Sequence, residues 1–125
     1  MINQYEVADI IAEGVPGLND QMTNAVPLGQ ASQAIRLLAE FMLSQAAEQN
    51  LPVVLQCMST AEKLYKKGIL QIQSLVEETF LPCFSSMMLT CKRPAWRYIQ
   101  GRMPILLYSL YVEKVLKPGL KAHAQ

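Results

Sequence analysis

The chain has 125 residues, of which 51% are hydrophobic and 17% charged, and its net charge is +1. That length fits one domain, and that balance excludes intrinsic disorder, which needs low hydrophobicity and high net charge. A near-neutral chain projects no overall field toward nucleic acid, and a mean hydropathy of +0.16 leaves apolar surface for a partner or a second copy.

The charge is unevenly spread. Residues 1–50 carry six acids and one base, a net of −5, whereas residues 51–125 carry ten bases and four acids, a net of +6. Either the two halves fold against each other with complementary surfaces, or the second half presents a basic binding face.

Apolar spacing is helical almost throughout, and strict alternation never lasts. The first helix starts at Asn3, an N-cap, with Glu6 completing a capping-box pattern and Ile2 and Val7 at the staple positions. Val7, Ile10 and Ile11 share its apolar face, Gly14 stops it, and Val15-Pro16-Gly17-Leu18 makes a turn. Asn19 to Leu28 reads as loop, with room for one helical turn. A second helix runs from about Gly29 to Gln49, with Ile35, Leu38, Phe41 and Met42 on its stripe and Asn50 as C-cap. Pro52 opens the third helix, where its missing N–H costs nothing. Lys66 and Lys67 suit that helix's last turn, and Gly68 ends it.

Ile69, Ile72, Leu75, Val76 and Phe80 give a fourth helix, which Pro82 kinks or ends. Phe84 to Leu89 is a further helical segment or a packed loop. Pro94 opens a short helix to about Gln100, stopped by Gly101, and Pro104 opens the last helix, Ile105 to Leu116, stopped by Pro118-Gly119. The expectation is an all-α fold over residues 1–125. It is a compact single-domain array of about five to seven helices, mostly antiparallel, with a tail from about residue 118. Its core should draw on Ile10, Ile35, Leu38, Phe41, Leu64, Ile72, Phe80, Leu106 and Leu110.

Little in the chain suits chemistry. Cys57, Cys83 and Cys91 are too few and too scattered for a disulfide framework or structural zinc. They fit buried thiols in a reducing compartment. The lone imidazole, His123, lies near the end, so nucleophile–histidine catalysis has no base. No glycine run forms a phosphate loop. Glu6, Asp9 and Glu13 share a helix face and read as a solvated surface, with a hard-cation site as the sharper option. Glu77 and Glu78 are adjacent and diverge around a helix, so they make no acid–base pair. Met42, Met58, Met87, Met88 and Met103 lie near apolar stripes and fill the core or line a groove. The expectation is therefore no catalytic residue, no cofactor and no metal.

The most distinctive segment is Cys91 to Arg102, which gathers four cations, the only tryptophan and a tyrosine. Arg, Trp and Tyr are enriched at binding hot spots, and bases interleaved with aromatics also grip single-stranded nucleic acid. Arg93 and Arg97 share a face, whereas Trp96 and Ile99 are expected to turn inward. The candidate partner-binding residues are Arg93, Trp96, Arg97, Tyr98 and Arg102.

The phrase Ala61-Glu62-Lys63-Leu64-Tyr65-Lys66-Lys67-Gly68, followed by Ile72, Val76 and Phe80, is similar to one in a group of small all-helical bacterial proteins of unknown function. In these, too, an early helix ends in a phrase like Val15-Pro16-Gly17-Leu18 and a proline-started helix stands near the end, as at Pro104. Some members resemble toxin-immunity proteins, small cytoplasmic binders that block a partner. The resemblance implies no functional residue, and the chain departs from it where Ile69 follows Gly68 in place of Asp. The phrase also resembles a tetratricopeptide helix pair, but a repeat of about 34 residues brings no matching positions together.

The functional expectation is a non-enzymatic helical protein–protein binding module of the bacterial cytoplasm, immunity-like, with an acidic protein partner. The alternative is a homo-oligomeric scaffold or assembly subunit, and the third option a small carboxylate enzyme or ligand-binding bundle. The N-terminus lacks the basic start and apolar run of a signal peptide. The uncharged stretch Met103 to Val112 falls short of the roughly 20 residues a membrane span needs. Nucleic acid is not the expected partner.

Overall fold

Asn3 and Glu6 bond to each other as a capping pair would, but Asn3 is not the N-cap of the first helix: residues 4–6 form a turn, and Glu6 takes the N-cap position without a side-chain cap bond. Asn3 N–H donates to Glu6 Oε1 at 3.2 Å, and Asn3 Oδ1 accepts from Tyr5 N–H at 2.9 Å. In this computed structural model, which describes residues 1–116, helix α1 then runs Val7–Gly14. The staple residues Ile2 and Val7 are both buried.

A 3-10 turn, Pro16–Leu18, leads into a short helix α2, Asn19–Asn24. Two 17-residue helices follow, α3 at Ala31–Ala47 and α4 at Leu51–Lys67. α5 is Leu70–Leu75, prolonged by a π-helical turn at Val76–Phe80. α6 is Cys83–Thr90, α7 Arg93–Arg102 and α8 Ile105–Tyr111, the last prolonged by a second π turn at Val112–Leu116. Helical residues make up 79% of those described, and no strand is present among them. The all-α expectation therefore holds. The stop at Pro118-Gly119, the tail and His123 lie outside the described residues.

Helices α3 and α4 pack on each other and carry the rest: α1 lies against both, as do α5 and its π turn. Their facing stripes bury Ile35, Leu38 and Met42 on one side and Val54, Met58 and Leu64 on the other. An aromatic row closes the far end. Phe80 meets Phe84 edge-on at 5.5 Å, and Phe84 meets Tyr111 at 5.4 Å. Tyr111 Oη and Ser85 Oγ share a hydrogen bond of 2.7 Å, which satisfies the phenol inside this apolar cluster.

Several expected details shift. Ile10, Phe41 and Leu106 are half-buried, packed on the core's margin rather than in it. Asn50 is not the C-cap of α3. Gln49 takes the left-handed conformation at φ 61°, and Asn50 becomes the N-cap of α4. Gln49 N–H donates to Ala46 O at 3.0 Å and Asn50 N–H to Gln45 O at 2.9 Å, the two bonds of a Schellman turn. The connection is so short that the left-handed residue had to fall one place earlier. Gly101 does not stop α7; it lies inside it. Met103 ends that helix, extended at ψ 134° as a residue before proline must be.

Gly68 ends α4 as expected, but for a different reason. Its φ is −79°, which any residue adopts. The chain start lies beside it instead: Ile69 N–H donates to Ile2 O at 3.0 Å, and Ile2 N–H donates to Lys67 O at 2.6 Å. A side chain at Gly68 would press on the Leu64 carbonyl oxygen and on Ile72. This parallel bridge between Ile2 and Gly68 ties the N-terminus to the α4–α5 corner.

Candidate interaction face on helix α7

Lys92 enters α7 in extended conformation, and Pro94 sits in the first turn, where its fixed φ favours helix. The helix turns Ile99 fully inward, while Trp96 is half-buried against the core's edge. Both inward positions agree with the spacing read from sequence. Arg93 and Arg97, four residues apart, are exposed on the opposite side, with Gly101 one turn further on. Tyr98 is 37% exposed beside them. The Arg102 guanidinium stacks over the Tyr98 ring at 3.8 Å from its centroid, an arrangement worth about 0.5–1 kcal/mol at an exposed site.

All five sequence-predicted residues therefore lie on one short helix. Arg93, Arg97, Tyr98 and Arg102 reach solvent, and Trp96 anchors them. Among the described residues, none of the three arginines is ion-paired; the pairs are Lys66–Glu62 at 3.7 Å and Lys114–Glu77 at 3.8 Å. No acid occurs between residues 79 and 112, so the cations stand in a stretch without internal neutralisation.

The structure adds two residues that sequence reasoning passed over. Ile105 is 83% exposed and Tyr108 is 41% exposed, and together with Gln100, Gly101 and Met103 they rim a shallow depression of about 310 Å³ beside α7. Their signal was weak. Ile105-Leu106-Leu107 is a continuous apolar run, which does not say which member faces out.

Other constellations resolve differently. Glu6, Asp9 and Glu13 are all exposed along α1. Glu77 is engaged, accepting from Tyr65 Oη at 3.2 Å while Lys114 Nζ lies at 3.8 Å; Glu78 is exposed. Burial, then the nearby Glu77 carboxylate, raises the Tyr65 phenol above its ordinary value. Met42, Met58, Met87 and Met103 are buried, whereas Met88 is exposed. The three cysteines are unpaired. Burial pushes the Cys57 thiol up to about 12 and raises Cys83 and Cys91 as well, so none has the electropositive setting of a reactive thiolate. Among the described residues no three acid, cysteine or histidine side chains group to hold a metal ion, and no helix is long and apolar enough to cross a membrane.

Helix α7 and its C-terminal border thus combine three exposed arginines, a tyrosine stacked under one of them and an apolar rim. No curated protein and no solved structure matches the chain. The chain belongs to the family described as a domain of unknown function, DUF7674, whose family model matches residues 8–117.

Proposed function

We propose that the protein is a non-enzymatic protein-binding module that receives an acidic protein surface on helix α7. One observation carries this reading: Arg93 and Arg97 stand exposed on one helical face with no acidic partner among the described residues. Tyr98 on the same helix, and Ile105 and Tyr108 at its C-terminal end, offer the apolar and aromatic contact that hot spots need. Exposed ion pairs alone contribute little, so the neighbouring apolar rim supports a protein partner over a purely electrostatic one. The compartment that suits this reading is the bacterial cytoplasm. Its narrower, immunity-like form has a toxin as the partner. A basic face then favours a toxin other than a nuclease, whose inhibitors mimic acidic nucleic acid.

The test is capture from the source cell with wild type and with Arg93→Glu/Arg97→Glu. The double variant should fold, since surface changes usually move stability by under about 0.5 kcal/mol, and should lose the partner. Undiminished capture, or recovery of nucleic acid in place of protein, overturns the reading.

A second reading, a homo-oligomeric scaffold, is favoured by exposed aliphatic side chains at Leu28, Leu70, Leu89 and Ile105. Monomeric protein at high concentration would refute it.

A further inference from the structure

We propose that α7 of one copy docks on the acidic face of α1 of a second copy, so that the chain supplies its own partner surface. This rests on the reading of α7 as a binding face. Its basis is how the fold spends its charge. The first half of the sequence carries a net −5 and the second a net +6. Folding the halves against each other would consume that difference. It does not: both ion pairs among the described residues, Lys66–Glu62 and Lys114–Glu77, lie within the second half. The acidic excess and the basic excess both stay on the surface, on different helices.

The two faces match in spacing. Asp9 and Glu13 are four residues apart on α1 and exposed, with Val7 and Ile11 buried on the other side. Arg93 and Arg97 are four apart on α7 and exposed. Each pair therefore spans about 6 Å along its helix, so two helices laid side by side bring both carboxylates against both guanidinium groups. The acid-free stretch from 79 to 112 offers no like charge to oppose them. Apolar contact is at hand on each side. Tyr5 is 56% exposed at the start of α1, and Ile105 stands beside α7.

Because the contact joins two different surfaces, it closes into a dimer only where both copies exchange both contacts; otherwise it closes into a larger ring or propagates as a file. Either way the association is electrostatic in origin and is weakened by screening.

Sedimentation velocity of the purified full chain, over a concentration series at low and high salt, tests this. The expected result is self-association that weakens severalfold as salt rises. Arg93→Glu/Arg97→Glu and Asp9→Lys/Glu13→Lys should each lower the association constant about tenfold or more, as like charges set across an interface do. Mixing the two variants should restore it, because the second variant's α7 meets the first variant's α1. Circular dichroism melting checks that each variant folds, and Arg93→Ala/Arg97→Ala or Asp9→Asn/Glu13→Gln replaces one that does not. A wild-type chain that stays monomeric throughout overturns the inference; if it still captures a cellular partner through Arg93 and Arg97, the reading of α7 survives. Association that neither variant weakens, or that mixing fails to restore, also overturns it. If self-association and capture are both indifferent to the arginines, both proposals fall.

Discussion

Helices α4 and α7 obey different constraints. α4 buries six of its 17 residues and touches α1, α3, α5, α7 and α8, so nearly every turn of it is fixed by a neighbour. α7 buries only Ile99 of its ten residues and leans chiefly on α4. A helix held so lightly has most of its side chains free of packing duty. Three of them, Arg93, Arg97 and Arg102, are exposed cations, and Tyr98 lies under the last. The contrast teaches that the arginines of the second half, unpaired among the described residues, stand on a helix of which the core demands little.

The largest effect should come from breaking the heavily packed partner. Leu64→Ala removes a fully buried side chain from the α4 stripe and should cost about 2–5 kcal/mol in a denaturant titration. Ile99→Ala should act locally instead: amide exchange over residues 93–102 accelerates while α3 and α4 stay protected. Uniform loss of protection in the Ile99 variant would show that both regions unfold as one unit and that the contrast is only one of surface.

Gly68 tests the corner that ties α4 to the chain start. An added Cβ meets the Leu64 carbonyl and the Ile72 side chain at 2.9 Å, and the carbonyl is backbone that cannot step aside. Gly68→Ala should therefore destabilise by about 1–3 kcal/mol, the usual cost of overpacking. Loss of melting temperature in this variant, with the Ile2 and Ile69 amides still protected from exchange, would place the strain at Leu64 and Ile72 rather than at the Ile2–Gly68 bridge.

Cys57 distinguishes the regions by pH. Its thiol moves from the ordinary 9.0 up to about 12 through burial. Between those values the unfolded chain has lost this proton and the folded chain keeps it. Stability from this group is thus complete below the lower value and falls as pH rises toward the upper one, by about 1.4 kcal/mol per pH unit at most. Cys57→Ala should flatten that alkaline slope when urea midpoints are compared on either side of the lower value. Cys91, half-buried at the α6–α7 junction, should react with a thiol reagent well before Cys57 in the native protein.

Much of the fold was legible because periodicity, proline and glycine are local signals. The α3, α4 and α7 stripes, the proline-opened starts and the inward pair Trp96 and Ile99 all follow from spacing within one helix. What was not legible depends on contacts between distant residues. Nothing local to Gly68 announces Ile2 beside it, and nothing local to Phe80 announces Tyr111 across two rings. Gln49 as the left-handed residue was missed because Asn50 has the better intrinsic preference, yet the two-bond turn into α4 fixed the position one residue earlier. The candidate arginines were visible as composition. Their lack of partners was not, since complementary surfaces between the two halves were the plainer reading of the same charges.

The smallest expected effect concerns the other glycine. Gly101 sits inside α7, and an added Cβ there meets nothing within 4 Å. Its place in the helix asks for no left-handed backbone, and Gly in a helix interior costs roughly 0.5–1 kcal/mol relative to Ala. Gly101→Ala should therefore raise the melting temperature slightly, the opposite sign to Gly68→Ala. The position also shares a face with Arg93 and Arg97 and rims the depression at Ile105 and Tyr108. If the methyl group stabilises the isolated chain yet weakens association in sedimentation, the glycine is kept for the approach of another surface rather than for the fold. If it stabilises both, the lightly packed helix tolerates the glycine with no contact to serve, and the docking face is drawn too wide at its Gly101 edge.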